Sequence, residues 1–269
     1  MLKYISKHLT DVDILELSSV SKNFEPVKSF LKSSFEFKKL YEDILIQNQI
    51  QNVFLSFEKY QSFQKHSYYD KIVSIEFDDE FNELFIPNAN LKKVTFGWNF
   101  NKTFIPNENL KKVTFGFDFN KTFIPNANLK KVTFGWNFNK TFIPNENLKK
   151  VTFGYHFNKT FTPNTNLQVV TFGYHFNKTF TPNINLQVVT FGWNFNKTFI
   201  PNTNLKKVTF GWNFNKTFIP NTNLEIINFG YYFNKKFTSN EKLKKIILYK
   251  RQIILITFNK NEEIVFCIF

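Results

Sequence analysis

The chain has 269 residues, 42% of them apolar, and a net charge of +14 from 35 Lys and Arg against 21 Asp and Glu. That composition excludes a disordered chain and suits one or two domains with a sizeable core. A single cysteine, Cys267, excludes an intrachain disulfide and a cysteine-built zinc cluster. No run of 18 apolar residues is present, so no membrane-spanning helix is expected and no membrane partner is read. The start, with Lys3, Lys7 and His8, is not a secretory signal. An intracellular location, cytoplasmic or nuclear, is the expectation.

Residues 1–70 lack glycine and lack any period. Thr10 or Asp11 can cap a helix over Val12 to Val20, and Asp43 to Phe57 is apolar at irregular helical spacing. A small α-helical head is predicted there.

From about residue 71 the chain changes character. Proline recurs at 87, 106, 125, 144, 163, 182, 201 and 220, and glycine at 97, 116, 135, 154, 173, 192, 211 and 230. Both series step by 19, and every glycine of the chain belongs to its series. Such a period marks a solenoid of stacked units. Leu91, Leu110, Leu129, Leu148, Leu167, Leu186, Leu205 and Leu224 open eight near-identical copies. A degenerate unit precedes them from Ile72, and another begins at Leu243. Atypical end units are what a stack needs, because each end exposes a face that internal units bury.

The first full unit shows why one strand per unit is the reading. Residues 94 to 96 alternate, with Val94 and Phe96 inward and Thr95 outward, and Gly97 ends the strand through a positive φ or a close backbone approach. Nineteen residues hold that strand, a return and two turns; Pro106 and its neighbouring asparagines argue against a helix on the return. The return is expected as extended, turn or short 3₁₀ segments. The rival is a β-helix with two or three strands per turn, which would show a second regular strand at Phe104-Ile105. Leu91, Val94, Phe96, Phe100 and Phe104 form the inward set, which assigns most of the 38 phenylalanines to the core. The recurring Asn101, Asn107 and Asn109 are read as structural, their amides satisfying turn backbone or one another.

Residues 71–250 are thus one repeat solenoid with a single parallel β-sheet and irregular returns. The tail, with Ile253 to Phe258 and Ile264 to Phe269 around Asn259 to Glu262, reads as a hairpin or two strands capping the stack over 251–269.

No catalytic constellation, metal set or cofactor motif emerges, so the chain reads as a binding protein rather than an enzyme. Each glycine stands alone in its unit, so no phosphate-cradling loop exists. His156 and His175 share one unit position, but no third ligand type recurs beside them, and they are read as surface substitutions. The candidate binding face is the outward side of the strands. Lys92 and Lys93 recur as Lys111 and Lys112 and as Lys130 and Lys131, and beside them runs an aromatic column of Trp98, Phe117, Trp136, Tyr155, Tyr174, Trp193, Trp212 and Tyr231. Such residues can grip a protein or stack on bases. The alternative is an edge packed for stability with lysines that only keep it soluble. A nucleic-acid ligand ranks below a protein.

The pattern Leu-x-x-Val-x-Phe-Gly-x-x-Phe-Asn followed by Ile-Pro is carried by Leu91, Val94, Phe96, Gly97, Phe100, Asn101, Ile105 and Pro106. It resembles the FNIP repeat, related to leucine-rich repeats, over roughly residues 72 to 248. The resemblance implies a leucine-rich-repeat-like curved solenoid that binds protein. In the head, Leu9-Thr-Asp-Val-Asp-Ile14-Leu15-Glu-Leu17-Ser-Ser-Val20-Ser21-Lys22-Asn-Phe24 resembles the middle of an F-box, over about residues 1–45. The opening Leu-Pro element of an F-box is not found in Met1-Leu2-Lys3-Tyr4-Ile5. This second resemblance implies docking of a Skp-type adaptor, and through it a cullin ubiquitin ligase, on Leu9, Ile14, Leu15, Leu17, Val20 and Phe24. The solenoid would then hold the ligase's target protein.

Overall fold

The computed structural model describes residues 51–249, together with the strands Ile256–Thr257 and Glu263–Cys267. The helix expected over Val12 to Val20 lies outside the described residues. Fourteen strands are described, β1 to β14 in chain order, with one α-helix, α1, at Phe57–Gln64 and a 3₁₀ helix at Ser67–Lys71.

Twelve of the strands form one parallel sheet. It runs from β1 (Asn52–Leu55) through β2 (Ser74–Phe77), then β3 (Lys93–Thr95) and its seven copies to β10 (Ile226–Asn228), and ends with β12 (Lys245–Tyr249) and β14 (Glu263–Cys267). Between full units the pairing steps by 19 residues: Val94 faces Val113, which faces Val132, which faces Val151. Each repeat unit is therefore one turn, and every side chain meets its own copy in the next turn. The chain is a parallel solenoid with one strand per turn.

Three features differ from the sequence reading, and the tail settles on one of its two alternatives. The strand of each turn begins one residue earlier, at Lys93, though Val94 and Phe96 still point inward. Among the described residues the sheet already starts inside the stretch assigned to the head, because β1 pairs with β2 in parallel register. The helical pattern read over Asp43 to Phe57 contains β1 from Asn52, and the helix begins at Phe57. Of the two readings of the tail, a hairpin or two capping strands, the structure has the strands: β14 pairs with β12, and β13 (Ile256–Thr257) pairs with β11 (Phe237–Thr238), both in parallel. The tail continues the winding instead of folding back on itself.

The return side decides between the two architectures. Phe104-Ile105 carries no strand, nor do its copies, until the equivalent Phe237–Thr238 pairs with Ile256–Thr257 near the C-terminal end. Elsewhere the return is extended chain and turns. Its order comes from asparagine. The side-chain amide of Asn107 donates to the carbonyl of Asn88 in the preceding turn (2.5 Å) and to that of Leu91 at the start of its own (3.1 Å), and that of Asn109 donates to Ala89 of the preceding turn (2.8 Å). The Oδ1 of Asn101 accepts the backbone N–H of Asn120 at 3.0 Å. These bonds repeat turn by turn and satisfy backbone groups that the short strands do not reach.

The core is a stack of five apolar side chains per turn. Leu91, Val94, Phe96, Phe100 and Phe104 are buried, as are their copies through Phe218. Within a turn Phe96 lies face to face on Phe100, centroids 3.8 Å apart, and edge-on to Phe104 at 5.1 Å. Between turns equivalent rings stay near parallel at 5.6 to 6.4 Å, as in Phe96–Phe115, Phe100–Phe119 and Phe218–Phe237. That exceeds the strand spacing of about 4.8 Å, so the rings are displaced as well as stacked. At the N-terminal end Tyr60 of α1 stands edge-on to Phe77, Phe81 and Phe85, at 5.5 to 5.6 Å. Its hydroxyl accepts the Ile86 N–H at 3.1 Å, and the Tyr69 hydroxyl donates to the Ile86 carbonyl at 2.8 Å. The helix and the 3₁₀ turn therefore cap the phenylalanine stack.

Glycine has a single role here, and it is close approach. A Cβ on Gly154 would fall 1.7 Å from the carbonyl oxygen of Gly135, and one on Gly116 would fall 1.8 Å from that of Gly97. The backbones of successive turns meet at this column, and no glycine of the series requires a left-handed φ.

Two outcomes are expected in chemical denaturation. Phe134→Ala, which empties a buried ring site in a central turn, costs about 3–5 kcal/mol, whereas Lys131→Ala stays within about 0.5 kcal/mol. Equal losses would mean that the inward face is wrongly assigned. Gly154→Ala adds one methyl but must push two turns apart, so it costs about 3 kcal/mol or more; a loss under about 1 kcal/mol, the ordinary range for a tolerated glycine change, would show that the turns do not need that contact.

Candidate functional site

The outward side of the sheet is built by alternation. With Val94 buried, Lys93 and Thr95 point away from the core and are partly exposed, and so are their counterparts in the following turns. In-register pairing places Lys93 opposite Lys112, Lys112 opposite Lys131, and Lys131 opposite Lys150. Lys92, Lys111, Lys130 and Lys149 form an exposed second column where each strand begins. Beyond the fourth turn the half-buried column changes to Val169 and Val188, and Gln168 and Gln187 replace the outer lysines. Lys206 and Lys207 restore the pair, and farther on Lys244 donates to Glu225 at 2.7 Å.

Stacked like charges leave a trace on one amine. Burial, followed by the positive charges of Lys131, Lys93 and Lys150, holds the Lys112 amine below its ordinary 10.5. Among the described residues none of Lys93, Lys112, Lys131 and Lys150 is ion-paired to a carboxylate.

The aromatic column lies three residues beyond each strand. Trp98 stacks on Phe117 at 4.5 Å, Trp136 on Tyr155 at 3.9 Å and Trp193 on Trp212 at 4.4 Å. The intervening pairs are 4.5 to 5.4 Å apart, and Tyr231 closes the series against Trp212 at 4.5 Å. The eight rings make one continuous ladder. Trp98 is 52% exposed, and Trp136 and Trp193 also reach solvent, but the inner ring faces are covered by their neighbours. What the ladder presents is a row of ring edges.

His156 and His175 stack at 5.2 Å, and His175 Nδ1 lies 3.2 Å from Asn194 Nδ2. Among the described residues no group of three or more His, Cys, Asp or Glu is placed to hold a metal ion. Among them, too, no helix is long and apolar enough to cross a membrane. Leu9, Ile14, Leu15, Leu17, Val20 and Phe24 lie outside the described residues.

A third surface column joins the lysines and the aromatic ladder. Ile105, Ile124, Ile143, Ile200 and Ile219 are each 75–77% exposed, with Ile86 before them and Thr162 and Thr181 interrupting the row. Pro125 and Pro144 join Ile124 and Ile143 in lining a shallow apolar groove. Its signal was present in the sequence: Ile105 follows the inward Phe104 in extended chain, so alternation sends it outward.

No protein family matches the chain, and no curated protein is similar to it. Among solved structures it is similar to CroV588, described as a novel circular leucine-rich-repeat protein, at 26% identity and a TM-score of 0.63. The match covers 68% of this chain and 31% of CroV588, so the chain spans about a third of that protein's length. The pneumococcal vaccine antigen PcpA aligns over 78% of this chain and 69% of its own, at 14% identity and a TM-score of 0.18, a likeness too low to bear on the fold. The chain is thus a solenoid of the leucine-rich-repeat type.

The Lys112 shift has a sign that can be checked. In the window between its lowered value and 10.5 the unfolded chain holds more protons than the folded one, so this group makes stability rise as pH climbs through the window. Lys131→Gln removes the neighbouring charge that lowers this amine most and is expected to move the Lys112 titration back upward, read by NMR of its Nζ resonance. A Lys112 titration indifferent to that change would mean that the lysines are not coupled along the column.

Proposed function

We propose that the chain is a protein-binding scaffold whose partner docks on the outward side of the parallel sheet, between the lysine columns and the aromatic ladder. The observation that carries this reading is the ladder together with its setting. Eight stacked rings, several well exposed, border a strand face that a partner can cover without displacing core residues. Tryptophan and tyrosine edges supply large, rigid contact area at low entropic cost, which is why such residues dominate protein interfaces. The shared solenoid form with a leucine-rich-repeat protein supports the same reading. The candidate residues are Lys92, Lys93, Lys111, Lys112, Lys130, Lys131 and the eight rings from Trp98 to Tyr231.

A second, finer reading rests on the resemblance of Leu9 to Phe24 to an F-box and of the turns to FNIP repeats. On it the chain is a substrate receptor: the head engages a Skp-type adaptor and cullin, and the solenoid holds the target. The division into a head, a solenoid and a C-terminal cap belongs to this proposal, with the solenoid taken to start at β1.

A pull-down from eukaryotic lysate separates the readings. The full chain is compared with a truncation starting at Gln51, which keeps β1 and the Tyr60 cap, and with the full chain carrying Trp136→Ala and Trp193→Ala together. Both altered proteins are first checked for cooperative unfolding. A scaffold loses its partners with the tryptophan variant and keeps them on truncation. A ligase receptor also recovers adaptor and cullin, with the full chain only. Partners that survive the tryptophan changes undiminished would sink the proposed face, and absence of adaptor from the full chain would sink the ligase reading.

A further inference from the structure

We propose that the four in-register lysines Lys93, Lys112, Lys131 and Lys150 bind an acidic α-helix of a partner protein, laid along the solenoid axis. This rests on the protein-binding reading above and adds the chemistry and shape of the partner.

Parallel pairing fixes these four residues opposite one another, at about 4.8 Å per step, so their Cα atoms span about 14 Å. The block is bounded. Before it the same position is Ser74, and after it come Val169 and Val188. Lys92, Lys111, Lys130 and Lys149 flank it, exposed. Four lysines thus stand in a short row without carboxylate partners among the described residues, and burial, with the charges of Lys131, Lys93 and Lys150 after it, lowers the Lys112 amine. An anion of matching period would relieve the repulsion of these charges along the whole row.

Two ligand geometries can be compared with the row. An extended peptide places same-side residues about 6.7 Å apart, so its carboxylates fall out of step with lysines about 4.8 Å apart after two contacts. An α-helix returns the same face every turn, with a rise of about 5.4 Å. Acidic residues at i, i+3, i+7 and i+10 span about 15 Å, nearly the length of the row, and each can meet one lysine. A single-stranded nucleic acid would also bring regular charge. Its usual anchor is a base stacked on an open aromatic face. The ladder beside the lysines has spent its inner ring faces on itself, at 3.9 to 5.4 Å, and has no gap for a base. Exposed ion pairs are individually weak and screened by salt, so the expected complex is moderate in affinity and salt-sensitive.

The test is fluorescence anisotropy with the full chain and four probes. The first is a synthetic helical peptide with Glu at i, i+3, i+7 and i+10. The second has the same composition with the Glu residues spread around the helix, the third carries a central proline, and the fourth is oligo-dT. Helicity is verified by circular dichroism. The aligned helix should bind about tenfold more tightly than either altered peptide, as expected if several weak pairs act together. The variant Lys93→Gln/Lys112→Gln/Lys131→Gln/Lys150→Gln should lose about the same factor, with its thermal unfolding retained. Gln already occupies the neighbouring position at Gln168 and Gln187, so the stack tolerates it close by. A charge-matched control, with Lys102, Lys121, Lys140 and Lys159 changed to Gln, should leave binding unchanged. Equal binding of the spread or proline peptide would overturn the helix in favour of unspecific charge attraction. Preference for oligo-dT would overturn it in favour of nucleic acid. Binding of no peptide, while the tryptophan variant still abolishes capture of protein partners, would overturn this inference and leave the protein-binding reading standing. Failure of both would end that reading too.

Discussion

The structure depends on backbone meeting backbone at one point of each turn. Where Gly154 lies against the carbonyl of Gly135, there is no room for even a methyl group. That contact fixes how closely the turns approach next to the sheet. Once it is fixed at every nineteenth residue, identical positions superimpose all along the axis. The rest of the molecule follows from the question of which side chains can tolerate lying on copies of themselves.

Phenylalanine tolerates it well. A flat ring packs parallel to its copy and, within the turn, face to face with a second ring, so Phe96, Phe100 and Phe104 fill a narrow cross-section with no helix needed. Asparagine tolerates it because one amide spans the gap between turns. The Asn107 amide gives one proton to Asn88 in the turn before it and the other to Leu91 where its own turn begins, and its Oδ1 is left buried without a hydrogen bond inside the protein, as are those of Asn126 to Asn221 in the same column. At the two ends, Asn88 and Asn240 do use that oxygen, accepting the N–H of Asn90 and Lys242 at 2.9 Å. Interior turns therefore trade one acceptor for two donations. An orphaned buried acceptor costs about 1–3 kcal/mol, so the exchange is sustained only because each amide ties down two carbonyls that would otherwise be unpaired.

Lysine tolerates superposition least, and its placement shows it. The charged columns sit on the outward side, where water screens them; at about 5 Å in water two ammonium groups repel by about 1 kcal/mol. The cost is small per pair but runs along four turns before valine replaces lysine at Val169 and Val188. The aromatic ladder is the complementary case. Its rings gain from being stacked, and stacking turns what would be eight separate faces into one strip of edges. A strip of edges beside a row of cations suits a broad macromolecular partner better than an inserted planar ligand.

Much of this was legible in the residues. The 19-residue step of proline and glycine set the turn length, and the alternation around Val94 set the inward and outward sides, because extended chain sends successive side chains to opposite faces. Leu91, Phe100 and Phe104 were recognisable as core because they are the remaining apolar positions that recur in every unit. Other features required the folded chain. The sequence left Gly97 open between an unusual φ and a close approach; only the position of the neighbouring turn's carbonyl decided for the latter. The strand at Asn52 was hidden, because it lies outside the period and is defined by its partner at Ser74. The tail's parallel course was hidden likewise, since local alternation is the same for a hairpin and for another winding. The aromatic column was visible as a spacing, but closure of its ring faces was not, because that depends on side-chain orientations set by the turns above and below. Sequence period determined which residues recur and on which side. Contact between turns, which no single unit contains, decided what those recurring residues can touch.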